Sequence, residues 1–234
     1  MQQINMPNML LRKFKMKTSP ELVTYLSNTY PLADGKVVID VNGYKIAIHS
    51  NNEEILECLG IYFAHTLSYD DDDIDRNIFV YDDETFHLDF SFSDWVRETG
   101  KSGRKDAFYD LDDSRLIHKV RTGMYFLQSP MHAIAMGPCV KNDNQIINFI
   151  NAQYMTYLQH QNALICHASA VSFKNNVLAF ADFSGGGKST LMLHILGKTS
   201  CQYVSNDRLF IKEGMSYGIP KLPRVNPGTL LNDK

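Results

Sequence analysis

The sequence predicts an α/β protein, and three stretches carry that reading. A two-residue turn signal divides alternating apolar segments at 36–49, an amphipathic stripe runs along 142–160, and an apolar segment at 176–183 passes through a glycine cluster straight into an apolar helix. Composition agrees, since 234 residues with 44% hydrophobic and 21% charged side chains can bury one sizeable core or two small ones.

In VVIDVNGYKIAI, Asn42-Gly43 supplies the two positive φ angles of a tight hairpin turn. Asn51 and Asn52 then suit a helix N-terminus, with Glu53 and Glu54 at its positive end. Ile55, Leu56, Leu59, Tyr62 and Phe63 recur at helical spacing, so this helix is expected on the hairpin's apolar face. The run Asp70, Asp71, Asp72 and Asp73 lacks the alternating ligands, turn glycine and terminal glutamate of a calcium loop and reads as a solvated loop. Short strands are expected at 77–81 and 107–111 and within 115–127 and 133–140, which makes residues 1–140 a small α+β module.

Between those strands, the segment from Trp95 to Lys105 carries Arg97, Lys101, Arg104 and Lys105. It reads either as a contact for a phosphorylated or acidic partner or as a solvated basic loop. Ile146, Ile147, Phe149, Ile150, Tyr154 and Leu158 then form the stripe of a helix packed on a sheet, and a second domain is placed at 141–234.

A formal net charge of -3 asks for no nucleic-acid or anionic-membrane partner. Cys58, Cys139, Cys166 and Cys201 have no metal-ligand spacing and read as buried reduced thiols. The N-terminal MQQINMPNMLLRKFKMK lacks the apolar core of a secretory signal, and no apolar stretch approaches the ~20 residues of a membrane-spanning helix. A cytoplasmic location is expected.

The glycine cluster carries the chemistry. Segments 163–173 and 176–183 read as adjacent strands, and the second enters SGGGKSTLMLHIL, the strand, glycine loop and helix order in which a Gly-Lys-Ser motif holds phosphate. Polyphosphate must be met by several backbone N–H groups at once. Gly185, Gly186 and Gly187, flanked by Ser184, are expected to allow positive φ and close approach. Lys188 is expected to reach the outer phosphates of ATP, Ser189 to offer its hydroxyl to magnesium, and Thr190 to add a contact at the helix N-terminus, with Leu191, Leu193, Ile195 and Leu196 anchoring the helix. The usual pattern opens on a glycine five residues before the last loop glycine, where this chain has Asp182. Downstream, apolar residues of CQYVSNDRLFI end at Asn206-Asp207, where a neighbouring strand can present an acid. Asp207 is the candidate for holding magnesium or activating an acceptor hydroxyl, with a strand-end turn as the plain alternative.

With NDNQIINFINAQYM, LICHASAV, FSGGGKSTLMLH, YVSNDRLFI and GIPKLPRVNPGT in this order, the stretch 142–229 resembles the HPr kinase/phosphorylase superfamily, most closely its HPr-kinase-related kinase B group. GRKD and KVRTGM extend a weaker likeness upstream. The resemblance implies a P-loop core similar to that of phosphoenolpyruvate carboxykinase, with a mixed sheet, and transfer of phosphoryl to a protein serine or a small hydroxyl compound. It also implies that His167, in CHASAV, lies near the phosphates and supports the catalytic acid, whereas a lone histidine in an apolar strand by itself reads as core.

Two departures from the family stand out. Asn206-Asp207 replaces two adjacent acids, and asparagine cannot act as a general base. Family members also continue beyond NPGT, so apolar faces and strand edges are expected to be uncovered unless a partner chain or a second copy completes them. Lys221 and Arg224 are candidates for meeting the γ-phosphate, against a purely structural loop. Three functions stay open: an ATP- and magnesium-dependent kinase, a non-catalytic nucleotide sensor, and an interaction protein whose glycine turn is only structural.

Overall fold

The computed structural model describes residues 17–96, 100, 103, 105–183, 185–198 and 200–223. The basic N-terminal segment, Arg97, Lys101, Arg104, Ser184 and Arg224 lie outside the described residues.

After helix α1 (Ser19–Thr29) come β1 (Lys36–Val41), β2 (Tyr44–Ser50), helix α2 (Glu53–Tyr62), β3 (Arg76–Asp82), β4 (Ser93–Asp94), β5 (Asp106–Asp110), β6 (Arg115–Lys119), β7 (Met124–Gln128), β8 (Ala133–Gly137) and helix α3 (Asp143–His160). These strands form one eight-stranded sheet in the order β1-β2-β3-β8-β7-β6-β5-β4. The β2/β3 and β3/β8 pairs are parallel and the rest antiparallel.

Local chemistry accounts for the hairpin and α2 as expected. Asn42 and Gly43 adopt φ of 55° and 83°, and Gly43 N–H donates to Asp40 Oδ1. The Asn52 side chain accepts from the Glu54 amide at 2.9 Å, while the Asn51 and Asn52 amides bond Asp82, fixing the crossover from β2 to β3. Asp70 and Asp71 pair with Lys45 and Lys36, each at 2.6 Å, which ties the acidic loop to the hairpin. The hydrogen bond from Lys45 holds the Asp70 carboxyl below its usual range.

Helices cover both faces, as an α/β arrangement requires. On one face the stripe Ile146, Phe149, Ile150, Tyr154 and Leu158 of α3 packs with α2 and with Ile46, Ile48, Ile78, Val80, Met124 and Phe126. Ala133 and Ala135 keep the surface beneath them low. On the other face α1 sets Leu22 and Leu26 against Tyr81, Leu116, Tyr125, Leu127, Ile134 and Met136. The sequence reading passed over α1, although Thr18-Ser19-Pro20-Glu21 signals a helix start. Glu21 accepts from the Lys17 and Thr18 amides, and Asp113 accepts from Ser19.

The remainder holds β9 (Leu164–Cys166), β10 (Ala168–Phe173), β11 (Asn176–Ala181), helix α4 (Lys188–Lys198), β12 (Gln202–Ser205), β13 (Leu209–Lys212) and β14 (Met215–Gly218). They form two three-stranded sheets, β11-β10-β12 and β14-β13-β9, antiparallel throughout.

Three expectations are corrected. The mixed sheet lies in the N-terminal part, because only there does a helix carry the chain across to a parallel neighbour. That part is no small module but the larger body, and α3, expected at 141–234, packs on it and draws Phe210 and Ile219 into the same core. Of the cysteines, only Cys139 is buried, its thiol donating to the Tyr81 carbonyl and pushed up in pKa by burial; Cys58 is exposed. No helix among the described residues is long and apolar enough to cross a membrane.

Candidate functional site

The glycine cluster joins β11 to α4 as the order of residues predicts, but its glycines do different things. Gly185 and Gly187 take φ of 87° and 82°, the left-handed values that L side chains resist, and no atom lies within 4 Å of where either would carry a Cβ. Gly186, expected to share that conformation, does not; a Cβ there would land 2.1 Å from Asp182 Oδ2. Asp182 thus explains both its own presence and the glycine opposite it. Its carboxylate caps the Phe183 amide at 2.7 Å and leans on Gly186, so no opening glycine is required. The Lys188 ammonium closes the loop, donating to the Asp182 and Phe183 carbonyls at 2.7 and 2.9 Å.

The facing wall comes from two chain segments that change sheets at the same point. The stretch expected as one strand at 163–173 breaks at His167, with β9 in one small sheet and β10 in the other. Its antiparallel neighbour breaks between β12 and β13. Cys166 pairs with Leu209 on one side of the break and Ala170 with Ser205 on the other. Between those pairs the backbones part, and His167 and Asp207 meet across the gap, Nε2 to Oδ1 at 3.2 Å. The gap is held by side chains: Ser169 Oγ donates to the Asn206 carbonyl at 3.0 Å and lies 3.3 Å from its Oδ1, while Ser205 Oγ donates to the Arg208 carbonyl. Arg208 Nη1 approaches the same Asp207 oxygen at 3.5 Å. Asn206 thus serves as a structural tie.

The third wall is the chain after β14. Lys221 is positioned through its backbone, its carbonyl accepting from Tyr203 Oη at 2.7 Å, and the next amide, Leu222 N–H, donates to Tyr62 Oη at 3.1 Å. Tyr62 ends α2, so the large body reaches this wall directly. Burial, then the nearby Tyr62, pushes the Tyr203 hydroxyl from 10.0 up to about 12. The neutral hydroxyl is the form that folding favours. Its contribution is present below pH 10 and is lost as pH rises from 10 towards 12. Tyr203→Phe should lower stability by about 1 kcal/mol at neutral pH and show a correspondingly smaller decline between pH 10 and 12, read from urea midpoints.

Together the three walls enclose a cleft of about 550 Å³. Of the residues singled out in the sequence, His167, Gly185, Gly187, Lys188, Ser189, Thr190, Asp207 and Lys221 line it. Gly186, packed against Asp182, is not part of the lining, and Ser184 and Arg224 lie outside the described residues. Tyr203, Ser205, Asn206, Ile219 and Leu222 also line it, and Arg208 sits at its edge on Asp207. Sequence reasoning missed these except Asn206; the serines flanking the strand breaks, Ser169 and Ser205, were the available signal. The expected anchoring of α4 by Leu191 is corrected, since Met192 is its buried side chain and Leu191 faces solvent.

The geometry defines a class of site: a glycine loop at a helix N-terminus facing a carboxylate–imidazole pair across a cationic cleft. No protein-family model, curated protein or solved structure matches the chain.

Proposed function

We propose that the protein binds ATP with magnesium in this cleft and transfers the γ-phosphoryl group to a protein serine or a small hydroxyl compound, as a kinase-like protein of HPr kinase/phosphorylase type with a P-loop core. The observation that carries the reading is the convergence of two distant segments. A loop with freely accessible glycines and a lysine faces an aspartate already oriented by a histidine, within one cleft.

Gly185, Gly187 and the first turn of α4 present N–H groups and the positive helix end to phosphate oxygens. Lys188 has a third proton to give beyond those its two loop carbonyls take, so it can meet an outer phosphate without opening the loop. Among the described residues no three carboxylate, imidazole or thiol side chains gather to hold a metal alone. The donor chemistry fits a magnesium ion for which Ser189 and Asp207, both lining the cleft, would supply the protein's oxygens. Magnesium, when bound, neutralises charge on the transferred group. The Asp207 carboxylate takes the proton of the acceptor hydroxyl as its oxygen attacks the γ-phosphorus and the bond to the β,γ-bridging oxygen breaks, releasing ADP. His167 holds the carboxylate in place, and Lys221 supplies positive charge opposite the loop. The apolar side chains Leu178 and Phe183, 56% and 89% exposed beside the loop, support a partner chain or second copy covering this face. Such a nucleotide-using protein with free cysteines belongs in the cytoplasm.

A second reading, a nucleotide sensor without turnover, is favoured by Asn206, whose side chain meets Ser169 where a second acid would act, and by the Tyr62 contact that links the cleft to the large body. Calorimetry with ATP and magnesium tests both: saturable one-site binding is expected, and no binding would sink kinase and sensor alike. With γ-labelled ATP and a lysate, label transfer that disappears in Lys188→Ala supports the kinase; binding without lysine-dependent transfer supports the sensor.

A further inference from the structure

The eight-stranded sheet is wider than the helices on the face of α2 and α3 can cover. Eight strands at ~4.8 Å spacing span about 34 Å, whereas two helices about 10 Å across cover about 20 Å, leaving strands bare. Among the described residues α2 and α3 pack over β1, β2, β3, β8 and β7 and reach β6 at Ile117, which leaves β5 and β4 without a helix on this face. Along the side of α3 this leaves a groove of about 450 Å³, separate in its lining from the cleft at the glycine loop.

The groove has an apolar floor and a cationic rim. Ile117, Phe126 and Phe149 form the floor, with Phe126 and Phe149 rings 5.0 Å apart. Alternation carries the same face across to Phe108, opposite Ile117 in register, and on to Trp95, which packs on Phe108 at 5.4 Å and is 47% exposed; the Arg115 guanidinium lies over both rings, 4.5 Å from Phe108 and 5.7 Å from Trp95, and pairs with Asp110. Lys105, Lys119 and Arg121 line the rim, and among the described lining residues Asp106 is the one acid, its Oδ1 forming an ion pair with Lys119 Nζ at 3.0 Å. Backbone contacts hold these cations together. The Val120 amide donates to the Lys105 carbonyl at 3.1 Å, and the Lys119 carbonyl takes the Thr122 and Gly123 amides in the turn that presents Arg121. Gln145 on α3 bonds Thr122 Oγ1 at 3.0 Å, locking the turn to the helix. Phe126 and Phe149 are themselves core side chains, 5% and 6% exposed, so the apolar surface offered here is that of half-buried Ile117 and the edge towards Trp95. In a chain of net charge -3, the fixed local excess of positive charge beside it suits an acidic ligand.

We propose that this groove docks an extended, acidic protein segment in which apolar side chains alternate with carboxylates. The acids meet Lys105, Lys119 and Arg121, and the apolar side chains lie on Ile117 and along the strip towards Trp95 beside Arg115. A strand-like peptide turns successive side chains to opposite sides, so alternation puts its apolar residues on the floor, while flanking acids remain in reach of the long basic side chains at the rim. The site needs no nucleotide and stands apart from the proposed phosphoryl transfer.

The test is fluorescence anisotropy of the full chain with a fluorescein-labelled dodecapeptide of alternating glutamate and leucine, without nucleotide. Micromolar binding is expected, weakening at least tenfold between 50 and 300 mM salt, at least tenfold in Lys119→Glu/Arg121→Glu, and unchanged in Lys188→Ala. Lys105→Glu, at an exposed position, is expected to weaken binding several-fold and serves if the double variant fails to fold. No binding, binding indifferent to Lys105→Glu, or equal affinity for a glutamate-serine peptide or for a single-stranded oligonucleotide of the same charge would overturn the proposal.

Discussion

Replacing Lys188 by alanine is expected to remove detectable magnesium-ATP binding, weakening it at least a hundredfold in calorimetry, while the chain stays folded by circular dichroism. Two losses add. The ammonium no longer meets an outer phosphate, a charge-assisted contact worth roughly 1.5–3 kcal/mol. The Asp182 and Phe183 carbonyls also lose the ammonium that joins them, leaving the Gly186 amide on Phe183 to hold the arc that keeps Gly185 and Gly187 open to a ligand. Lys188→Arg separates the two effects. A guanidinium keeps the charge but not the compact fit between two carbonyls 2.7 and 2.9 Å away, and partial recovery of affinity would assign part of the loss to charge. Undiminished binding in Lys188→Ala would mean that the loop does not cradle phosphate.

Asp207→Asn is expected to lower phosphoryl transfer by about 10²–10⁴-fold, the usual range for a positioned general base, with nucleotide affinity changed only a few-fold. The amide keeps the shape of the carboxylate but cannot take a proton, and beside it Asn206 offers no second acid. His167→Ala tests the support of that carboxylate from the other side. It removes the 3.2 Å contact and leaves Arg208 at 3.5 Å as the neighbour of the same oxygen, so a smaller loss of turnover than in Asp207→Asn is expected. Equal, measurable turnover in wild type and Asp207→Asn would remove Asp207 from the chemistry, whereas no turnover in either would leave the sensor reading.

Much of the local structure was legible because its signals act over a few residues. Asn42-Gly43 fixes a turn, Asn52 caps a helix, and the stripe from Ile146 to Leu158 marks the side of a helix that faces a sheet. The loop and α4 were legible for the same reason. Failures came where the outcome depends on residues far apart in sequence. Near His167 only Ser169 hints that a run of apolar residues changes sheets there, and its meaning depends on a partner, Asn206, 37 residues on. The requirement for glycine at 186 came from Asp182 rather than from backbone conformation, and Asp182 had been noticed as a departure instead of a cause. Tyr62 was read as core of α2, and its hydroxyl reaches Leu222 across 160 residues. The placement of α3 depends on Ala133 and Ala135, whose small size lets a helix settle on the first sheet.

The paired sheet crossings at His167 and Asp207 also set how the cleft can come apart. One side of the crossings, β9 and β13, is rooted in the main core through Phe210. The other, β10 with β11 and β12, rests on a thin cluster around Ala168 and Ala170 and leaves most of β11 exposed. The two halves of the His167–Asp207 neighbourhood therefore belong to regions of unequal resistance to opening, and the weaker one carries the glycine loop. Local fraying of β10 and β11 would swing the loop away from an intact β13 without melting the large sheet. A ligand that spans the cleft would then act as a clasp, joining a soft flap to a hard frame.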